Sequence, residues 1–424
     1  MNLRTAATLL AAAALAMTTA CSPGSAAGGG SGGDGKSFEF WSMSGIDQQR
    51  SVDAYTQKHP DIQVGLTEVG TSQETAQGLT TALAGGKVPD LVLIQGDELP
   101  KFLEQPQNFY DLREFGADEI EGDYLDWVMA QATAEDGEII GIPTDVGGMA
   151  VAYRTDLFAA AGLPTDRESV SALWPTWDDF IATGQQYVAA TGKPFVDNVP
   201  TSVFYQAVNQ VSQKYYDDAG NPIYAENPEV KQAFDLSLRA IDAGISANLS
   251  YASEGWNAAL PRGDYAVVSA PSWMLNSLRR VAPDTAGKWD IATIPGGAGN
   301  WGGSYLAIPR RAQNPEAAWA YIKEMQAPER QLTHFLDVGT LPTTPEVYED
   351  PQLIAETEPF FSGAPIGQIY TRSLLGLEPF HMGPDTATIG AEFLNALVDV
   401  EQTGGDPAMA WDRAVGNIRT AIGQ

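Results

Sequence analysis

Residues 89–94 read PDLVLI, an apolar run introduced by proline and aspartate. Such a run is typical of a strand with both faces buried, as in a parallel sheet covered by helices. Before it, residues 38–43 (FEFWSM) and 62–69 (IQVGLTEV) have the composition of strands, while 47–58 and 73–83 have the spacing of amphipathic helices. This order predicts an α/β fold with a mostly parallel sheet flanked by helices.

The rest of the chain continues this alternation of strands and helices. Further elements are expected as strands at 139–142, 150–153, 265–270 and 305–309, a helix at 314–325, and two helices between 385 and 423. The chain has 424 residues, which exceeds what one hydrophobic core usually supports, so two lobes are expected. Beyond the N-terminal segment, no apolar run is long enough to span a bilayer.

The N-terminus has the pattern of a secretory signal, because Arg4 precedes an apolar segment at residues 6–17. Small residues follow this segment and lead to Cys21, the only cysteine of the chain. That arrangement is typical of a lipoprotein cleavage site, so we expect residues 1–20 to be removed and Cys21 to carry the lipid anchor. The alternative is an ordinary secreted protein cleaved near Ala20.

Residues 21–36 are almost entirely glycine, serine, alanine and aspartate, and such a composition predicts a flexible tether. Two phosphate-binding patterns occur in or beside it, G-x-G-x-x-G at 28–33 and G-x-x-x-x-G-K-S at 30–37. Both patterns need a strand before the glycines and a helix after them to hold phosphate. Neither context is present here, so we exclude nucleotide binding at this segment.

The charge of the chain restricts its partners. The formal net charge is −30 at pH 7. Such a surface repels phosphate backbones and other anions, so nucleic acid is excluded as a partner and neutral ligands are favoured. Solubility outside the cell is the simpler explanation of the acidity itself.

A series of short motifs runs through the chain in a defined order. They are Cys21 after the signal, FW at 40–41, VPDLV at 88–92, GIPTDVGG at 141–148, YRTDLF at 153–158, AGLP at 161–164, WPTWDDF at 174–180, GDYA at 263–266, PSWM at 271–274, GGS at 302–304, AIP at 307–309 and NPEAAW at 314–319. No single motif is specific, but in this order and spacing the sequence resembles, over nearly its whole length, the family 1 extracellular solute-binding proteins of ABC sugar importers. Maltose-binding-like proteins belong to that group.

The resemblance implies a two-lobed periplasmic-binding-protein-like fold with a ligand cleft at the interlobe hinge, which closes on binding. It assigns residues 36–144 plus 305–355 to one lobe and 145–304 plus 356–424 to the other. It implies an oligosaccharide ligand, with cello- or xylo-oligosaccharides favoured, and the permease subunits of an ABC transporter as partners. No cofactor or metal is expected. The protein is expected to be a monomer, anchored to the outer face of the cell membrane through Cys21.

Sugar recognition needs flat aromatic side chains for the C–H faces of the ring and polar groups for its hydroxyls. The predicted ligand-binding residues are Trp41, Asp97, Asp145, Gly147, Gly148, Trp273, Trp301, Gly302, Gly303, Ser304 and Arg372. Trp41 and Trp273 are the expected stacking residues, one from each lobe, because Trp41 lies towards the end of the predicted strand 38–43 and Trp273 lies just after the predicted strand 265–270. The small residues after Trp301 let backbone amides approach a ligand closely.

Four of these residues have a second interpretation. Trp41 can belong to the core of its lobe, and Asp97 can cap the predicted helix that ends near Glu104. Asp145 stands at the predicted crossover between lobes and can fix the hinge instead of binding ligand. Arg372 can form a surface salt bridge.

The competing functional class is a secreted glycoside hydrolase or another carbohydrate-active lipoprotein. A hydrolase needs two carboxylates facing one glycosidic bond, and a chain with 54 acidic residues contains too many pairs for this criterion to discriminate. The chain lacks the H-E-x-x-H motif, and its one G-x-S-x-G match, at 29–33, lies in the predicted tether and not at a strand-to-helix turn. Its three histidines lie far apart in sequence without the spacing of metal ligands. A binding protein rather than an enzyme is therefore predicted.

Overall fold

The computed structural model describes residues 37–377 and 381–424. The predicted signal peptide, Cys21 and the tether up to residue 36 lie outside the described residues. Within the described part of the chain, no helix is both long enough and apolar enough to cross a membrane.

The first sheet has the strand order β2-β1-β3-β8-β4. Its strands are β1 Ser37–Met43, β2 Gln63–Gly70, β3 Leu91–Gln95, β4 Ile142–Gly148 and β8 Asn300–Ala307. Strand β1 pairs in parallel with β2 and β3, whereas β8 runs antiparallel to both of its neighbours, β3 and β4. We call this sheet and the elements packed on it the first lobe.

The second sheet has the order β6-β5-β7, formed by β5 Ala150–Arg154, β6 Val267–Ser269 and β7 Trp289–Thr293. Its central strand is antiparallel to both neighbours. We call this sheet with its packed elements the second lobe. The prediction of mostly parallel sheets is therefore wrong outside β2-β1-β3. Helices connect these three strands and bring the chain back to the end of the sheet where the preceding strand began, so the strands run in the same direction. Strand β8 enters the first sheet from the second lobe and runs in the opposite direction.

The helices alternate with these strands. They are α1 Gln48–Lys58, α2 Ser72–Gly85, α3 Leu99–Leu103, α4 Asp126–Ala130, α5 Thr155–Ala160, α6 Arg167–Ser171, α7 Trp177–Thr191, α8 Gln206–Val208, α9 Pro228–Asp242, α10 Glu254–Arg262, α11 Met274–Val281, α12 Pro315–Met325, α13 Pro328–Val338, α14 Pro351–Ala355, α15 Ile366–Leu375, α16 Thr386–Val398 and α17 Pro407–Ala421. Segments of π-helix occur at Pro200–Tyr205 and Asp399–Thr403. Short 3-10 turns occur at Pro106–Asn108, Leu112–Phe115, Ala117–Glu119, Glu121–Asp123, Pro283–Thr285, Pro345–Glu349 and Pro359–Phe361.

Local sequence signals explain where several helices begin. Helix α2 starts with a capping box, in which Thr71 accepts from the Glu74 backbone N–H and Glu74 accepts from the Thr71 backbone N–H. Helix α12 carries proline at its first turn, as the sequence predicted. The two C-terminal helices are separated near Gly404, which adopts a left-handed conformation.

Two predicted strands have other bounds in the structure, and one strand was not predicted. The strand expected at 139–142 begins only at Ile142 and continues to Gly148, and the strand expected at 305–309 is Asn300–Ala307. The residues GGS at 302–304, expected as a loop whose small side chains let backbone amides approach a ligand, belong to β8 and pair with β4. Strand β7 was missed.

The chain crosses between the lobes at two strand connections that one helix holds together. Met149 lies between β4 and β5, and Gly299 lies just before β8. Ser373 of α15 accepts a hydrogen bond from the Met149 amide through Oγ (3.0 Å) and from the Gly299 amide through its carbonyl (3.4 Å). The predicted lobe boundaries at 144/145 and 304/305 divide β4 and β8, although both strands lie wholly in the first sheet.

Candidate ligand-binding site

A small enclosed cavity lies where the two lobes face each other. Asp97, Asp145 and Gly302 line it from the first lobe, and Tyr205 lines it from the second lobe, where the neighbouring Phe204 packs in the core beneath the second sheet. The cavity volume is about 20 Å³, which is room for about one water molecule. The two lobes are therefore closed over this site.

Asp97 connects the lobes directly. It follows β3, and its Oδ2 accepts a hydrogen bond of 2.6 Å from the Tyr205 hydroxyl, 108 positions away in sequence. The ammonium of Lys214 lies 4.0 Å from Asp97 Oδ1 and donates to Asn209 Oδ1 at 2.9 Å. Only 3% of the Lys214 side chain is exposed, and burial lowers its pKa while Asp97 raises it. A buried ammonium needs such an anion nearby.

The alternative interpretation of Asp97 as a helix cap is wrong. The N-cap of α3 is Glu98, and no side chain accepts a hydrogen bond from the first turn of that helix. Asp97 points instead into the space between the lobes, where it lines the cavity.

Asp145 provides a second carboxylate in the cavity wall. It lies in β4 opposite Ser304 of β8. The Thr144 hydroxyl lies 2.7 Å from Asp145 Oδ1 and 3.1 Å from the Ser304 carbonyl oxygen. Burial raises the pKa of Asp145 to about 6, although the hydrogen bonds from Thr144 and the Ser304 backbone favour the ionised form. This carboxyl is therefore an acceptor whose charge changes near neutral pH.

The predicted glycines allow strands β4 and β8 to approach each other and the cavity. Gly302 and Gly303 line the cavity and have φ values of +100° and +109°, which a side chain would strain. A Cβ at Gly147 would lie 1.7 Å from the Trp301 carbonyl oxygen, and one at Gly148 would lie 2.7 Å from the Tyr370 carbonyl oxygen. Gly147 and Gly148 do not line the cavity and instead permit close backbone packing behind it.

An aromatic cluster stands next to the cavity. The ring of Tyr205 lies 5.1 Å from that of Trp301, and Trp301 meets Trp273 edge to face at 5.2 Å. Trp273 Nε1 donates to the Trp301 carbonyl oxygen at 2.8 Å, which fixes its orientation. In this closed arrangement Tyr205 is the aromatic residue of the three that lines the cavity. Trp273 and Trp301 do not line the cavity in this arrangement.

Two predicted residues lie elsewhere. Trp41 is half-buried on β1 and packs against the core that includes Ala76 and Leu79 of α2, so the structure shows the core position that was its alternative. Arg372 is exposed on α15 and does not line the interlobe cavity. Among the described residues it makes no hydrogen bond and no ion pair, so the alternative of a surface salt bridge has no partner within this part of the chain.

Comparison with known proteins identifies the family. The sequence profile of the family described as bacterial extracellular solute-binding protein matches residues 50–361. The chain belongs to this family. The resemblance predicted from the sequence is thereby confirmed, as is the two-lobed α/β fold. The family is described as extracellular and solute-binding, and the relatives named below are binding proteins.

Individual relatives of this solute-binding protein cover nearly the whole chain. The lactose-binding protein of Rhizobium radiobacter is 27% identical over 395 residues, which cover 88% of this chain and 87% of that protein. The arabinooligosaccharide-binding protein of Bacillus subtilis is 25% identical over 418 residues, covering 91% and 93%. A crystal structure of a family 1 extracellular solute-binding protein shares 34% identity with a TM-score of 0.79, covering 91% of this chain and 99% of that chain.

Sequence reasoning missed several polar residues of this solute-binding protein that the structure brings to the cavity. They are Gln131, Tyr205, Asn209 and Asn300, while Lys214 lies behind them beside Asp97. Tyr205 and Asn209 are spaced four residues apart in the segment 203–209 (VFYQAVN), and that spacing was the available signal. Met382 also lines the cavity, and nothing in the sequence around it indicated this position.

The cavity has the chemistry of a binding site for a polar molecule. Asp97 and Asp145 are hydrogen-bond acceptors, while the hydroxyl of Tyr205 and the amides of Asn209 and Asn300 complete the polar lining. Among residues 37–377 and 381–424, no group of three histidine, cysteine, aspartate or glutamate side chains is placed to hold a metal ion.

Proposed function

We propose that this protein captures an oligosaccharide in the interlobe cavity and delivers it to the membrane subunits of an ABC transporter. The observation that carries the proposal is the pair of carboxylates, Asp97 and Asp145, facing Tyr205 and Asn209 across a closed interface between lobes. Vicinal sugar hydroxyls both donate and accept, and they match such a mixture of charged acceptors and amide donors. Two relatives are named for the sugars lactose and arabinooligosaccharide.

The ligand enters only when the lobes separate. Ligand pockets usually measure about 300–1,000 Å³, whereas this cavity measures about 20 Å³. Opening breaks the hydrogen bond between Asp97 and Tyr205 and frees the carboxylate for sugar hydroxyls. We place the hinge at the connections around Met149 and Gly299, where the chain passes from one sheet to the other.

A panel of glycans tests the proposal. Purified protein is titrated calorimetrically with cello-, xylo- and arabino-oligosaccharides and lactose, and each mixture is assayed for new reducing ends. We expect at least one glycan to bind without being cleaved, with cello- or xylo-oligosaccharides as the first candidates. New reducing ends would show a glycoside hydrolase, and a panel without any binding would contradict the proposal.

We further propose that Cys21 anchors the protein to the outer membrane face of the cell, with residues 22–36 as a tether and the folded part as a monomer. With about 15 residues, such a tether reaches roughly 20 Å. Replacing Cys21 by serine is expected to release the protein into the medium, because the lipid chains are lost. Cell fractionation and immunoblotting measure this. A variant that stays with the membrane, or a wild-type protein that is already soluble, would contradict the anchor.

Ligand affinity is expected to depend on pH through Asp145, whose pKa is about 6. The ionised carboxylate is the better acceptor, so affinity should rise between pH 5 and pH 7 by up to about tenfold, the ratio of ionised fractions. Because the raised pKa favours the protonated folded state, the same group's contribution to stability falls as pH rises from about 4 to 6. Calorimetry at several pH values measures the affinity.

Asp145→Asn is the matched control for this pH dependence, since asparagine keeps the shape and does not titrate. Its affinity should be lower at pH 7 and nearly independent of pH in this range. A variant with the same pH slope as the wild type would show that another group causes the dependence.

A further inference from the structure

The second connection between the lobes is a glycine-rich loop. It follows β7 at residues 294–299 (IPGGAG) and continues directly into β8. Three of these six residues are glycine, and such a composition is typical of a flexible linker. Strand β8 carries Asn300 and Gly302, both of which line the interlobe cavity. The conformation of the loop therefore determines where this part of the cavity wall lies.

Gln210 of the second lobe holds this loop. Its Nε2 donates hydrogen bonds to the carbonyl oxygens of Pro295 (2.8 Å) and Ala298 (2.7 Å). Its Oε1 accepts a hydrogen bond of 2.8 Å from Trp177 Nε1 at the start of α7. Carbonyl oxygens only accept and an indole N–H only donates, so these partners determine the orientation of the amide. Both donors of the side chain are therefore bound to the loop.

The loop also packs closely around this side chain. A Cβ at Gly296 would lie 3.0 Å from both Nε2 and Oε1 of Gln210, and one at Gly299 would lie 3.5 Å from its Cγ. In addition, the Gly296 amide donates a hydrogen bond of 3.2 Å to the Pro175 carbonyl oxygen, just before α7. Residues 295–298 are therefore bound to the second lobe, and the chain turns towards the first lobe after them.

Gln210 also adjoins the wall of the ligand cavity. The preceding residue, Asn209, lines the cavity together with Tyr205, and the Asn209 amide donates to the Tyr205 carbonyl oxygen at 3.2 Å. A ligand that contacts Tyr205 or Asn209 therefore acts on the same short segment that holds the loop. The side chain of Gln210 thus connects the second-lobe wall of the cavity to the start of β8 in the first-lobe wall.

We propose that Gln210 is a positioning residue of the hinge, which keeps residues 295–298 in one conformation while the lobes open and close. This inference rests on the proposed function, which supplies the ligand and the opening movement. With the loop held, the change in backbone dihedral angles is confined to the chain next to Gly299, and β8 returns to the same place at each closure. With the loop free, its glycines must be ordered each time the lobes close on a ligand. That loss of conformational entropy weakens binding.

The test uses two variants of this residue. Gln210→Met keeps the length of the side chain and removes both donors, and Gln210→Glu keeps its shape and places a carboxylate against the two carbonyl oxygens. Hydrogen exchange of the unliganded proteins, followed by mass spectrometry, should be about tenfold faster in the peptide 294–300 of both variants than in the wild type. Calorimetry with the cello-, xylo- and arabino-oligosaccharides and lactose of the panel measures affinity. For each glycan that the wild type binds, we expect affinity to fall by about tenfold, the scale of ordering one additional backbone residue.

Gln331→Met is the matched control. Gln331 is buried in α13, and its amide donates to Thr343 Oγ1 (2.9 Å) and accepts from the Thr343 backbone N–H (2.6 Å). These bonds hold a different segment of the chain. The control should lower the melting temperature without accelerating exchange at 294–300, and its glycan affinity should stay within about twofold of wild type.

Unchanged exchange at 294–300 in the Gln210 variants would overturn the positioning role. Faster exchange with affinity kept within about twofold of wild type would also overturn it, because closure would then not depend on the held loop. An equal loss of affinity in Gln331→Met would assign the effect to lower stability and reject the proposal. A wild-type protein that binds no glycan of the panel would instead refute the proposed function.

Discussion

An Asp97→Ala variant is expected to bind the glycan about 100-fold more weakly than the wild type. The carboxylate is the first-lobe acceptor that faces Tyr205 and Lys214, and each hydrogen bond to a charged group contributes about 1.5–3 kcal/mol. Two such bonds to sugar hydroxyls contribute about 3–6 kcal/mol, and the lower end of that range corresponds to roughly 100-fold in affinity. Calorimetric titration at constant pH measures it.

Loss of Asp97 also removes the carboxylate beside the buried Lys214 ammonium, so the melting temperature should fall as well. The double variant Asp97→Ala with Lys214→Met separates the two effects, because it removes the buried charge. It should regain stability without regaining affinity. Tyr205→Phe keeps the carboxylate and should lose far less affinity. A double variant that recovers glycan binding would show that Asp97 has only a structural role.

Gly147→Ala is expected to destabilise the protein more than any single polar substitution considered above. The new Cβ would lie 1.7 Å from the Trp301 carbonyl oxygen and 2.6 Å from its carbonyl carbon, and both are backbone atoms. Separating β4 from β8 to relieve this clash disrupts the cavity wall. The loss in free energy of unfolding should exceed about 1–3 kcal/mol, which is the usual cost of adding a methylene to a well-packed core. Soluble yield and melting temperature measure it.

Gly416→Ala is the matched control, because this helical position has no atom within 4 Å of the added Cβ. Alanine in a helix interior should stabilise by up to about 1 kcal/mol relative to glycine. Equal melting temperatures for the Gly147→Ala variant and the wild type would show that β4 and β8 are not packed as closely as described.

The sequence predicted those parts of the site that are carried by local motifs. Asp145 lies within GIPTDVGG, and Gly302 lies within a segment of small residues. The neighbouring residues in sequence were therefore enough to predict that both lie near a ligand. Asp97 was predicted because polar residues at the carboxyl end of a buried parallel strand face a ligand crevice. All three residues line the cavity.

The rest of the site depends on contacts between distant parts of the chain. Tyr205 reaches Asp97 across 108 positions, and such a contact leaves no periodic signal in either segment. Trp41 lies within β1, near its end, and its side chain packs against the core that includes residues of α2. The first half of β8 was not predicted, because its two glycines are typical of a loop. Their pairing with β4 is determined by the fold.

The most direct test of the account is a crystal structure of the protein with the glycan that the panel identifies. The account predicts sugar hydroxyls within hydrogen-bonding distance of both Asp97 and Asp145, in an interlobe cavity enlarged from the present volume of about 20 Å³. The hydrogen bond between Asp97 and Tyr205 should be replaced by bonds to the sugar. A glycan bound elsewhere, with the cavity still closed and that hydrogen bond intact, would contradict the account.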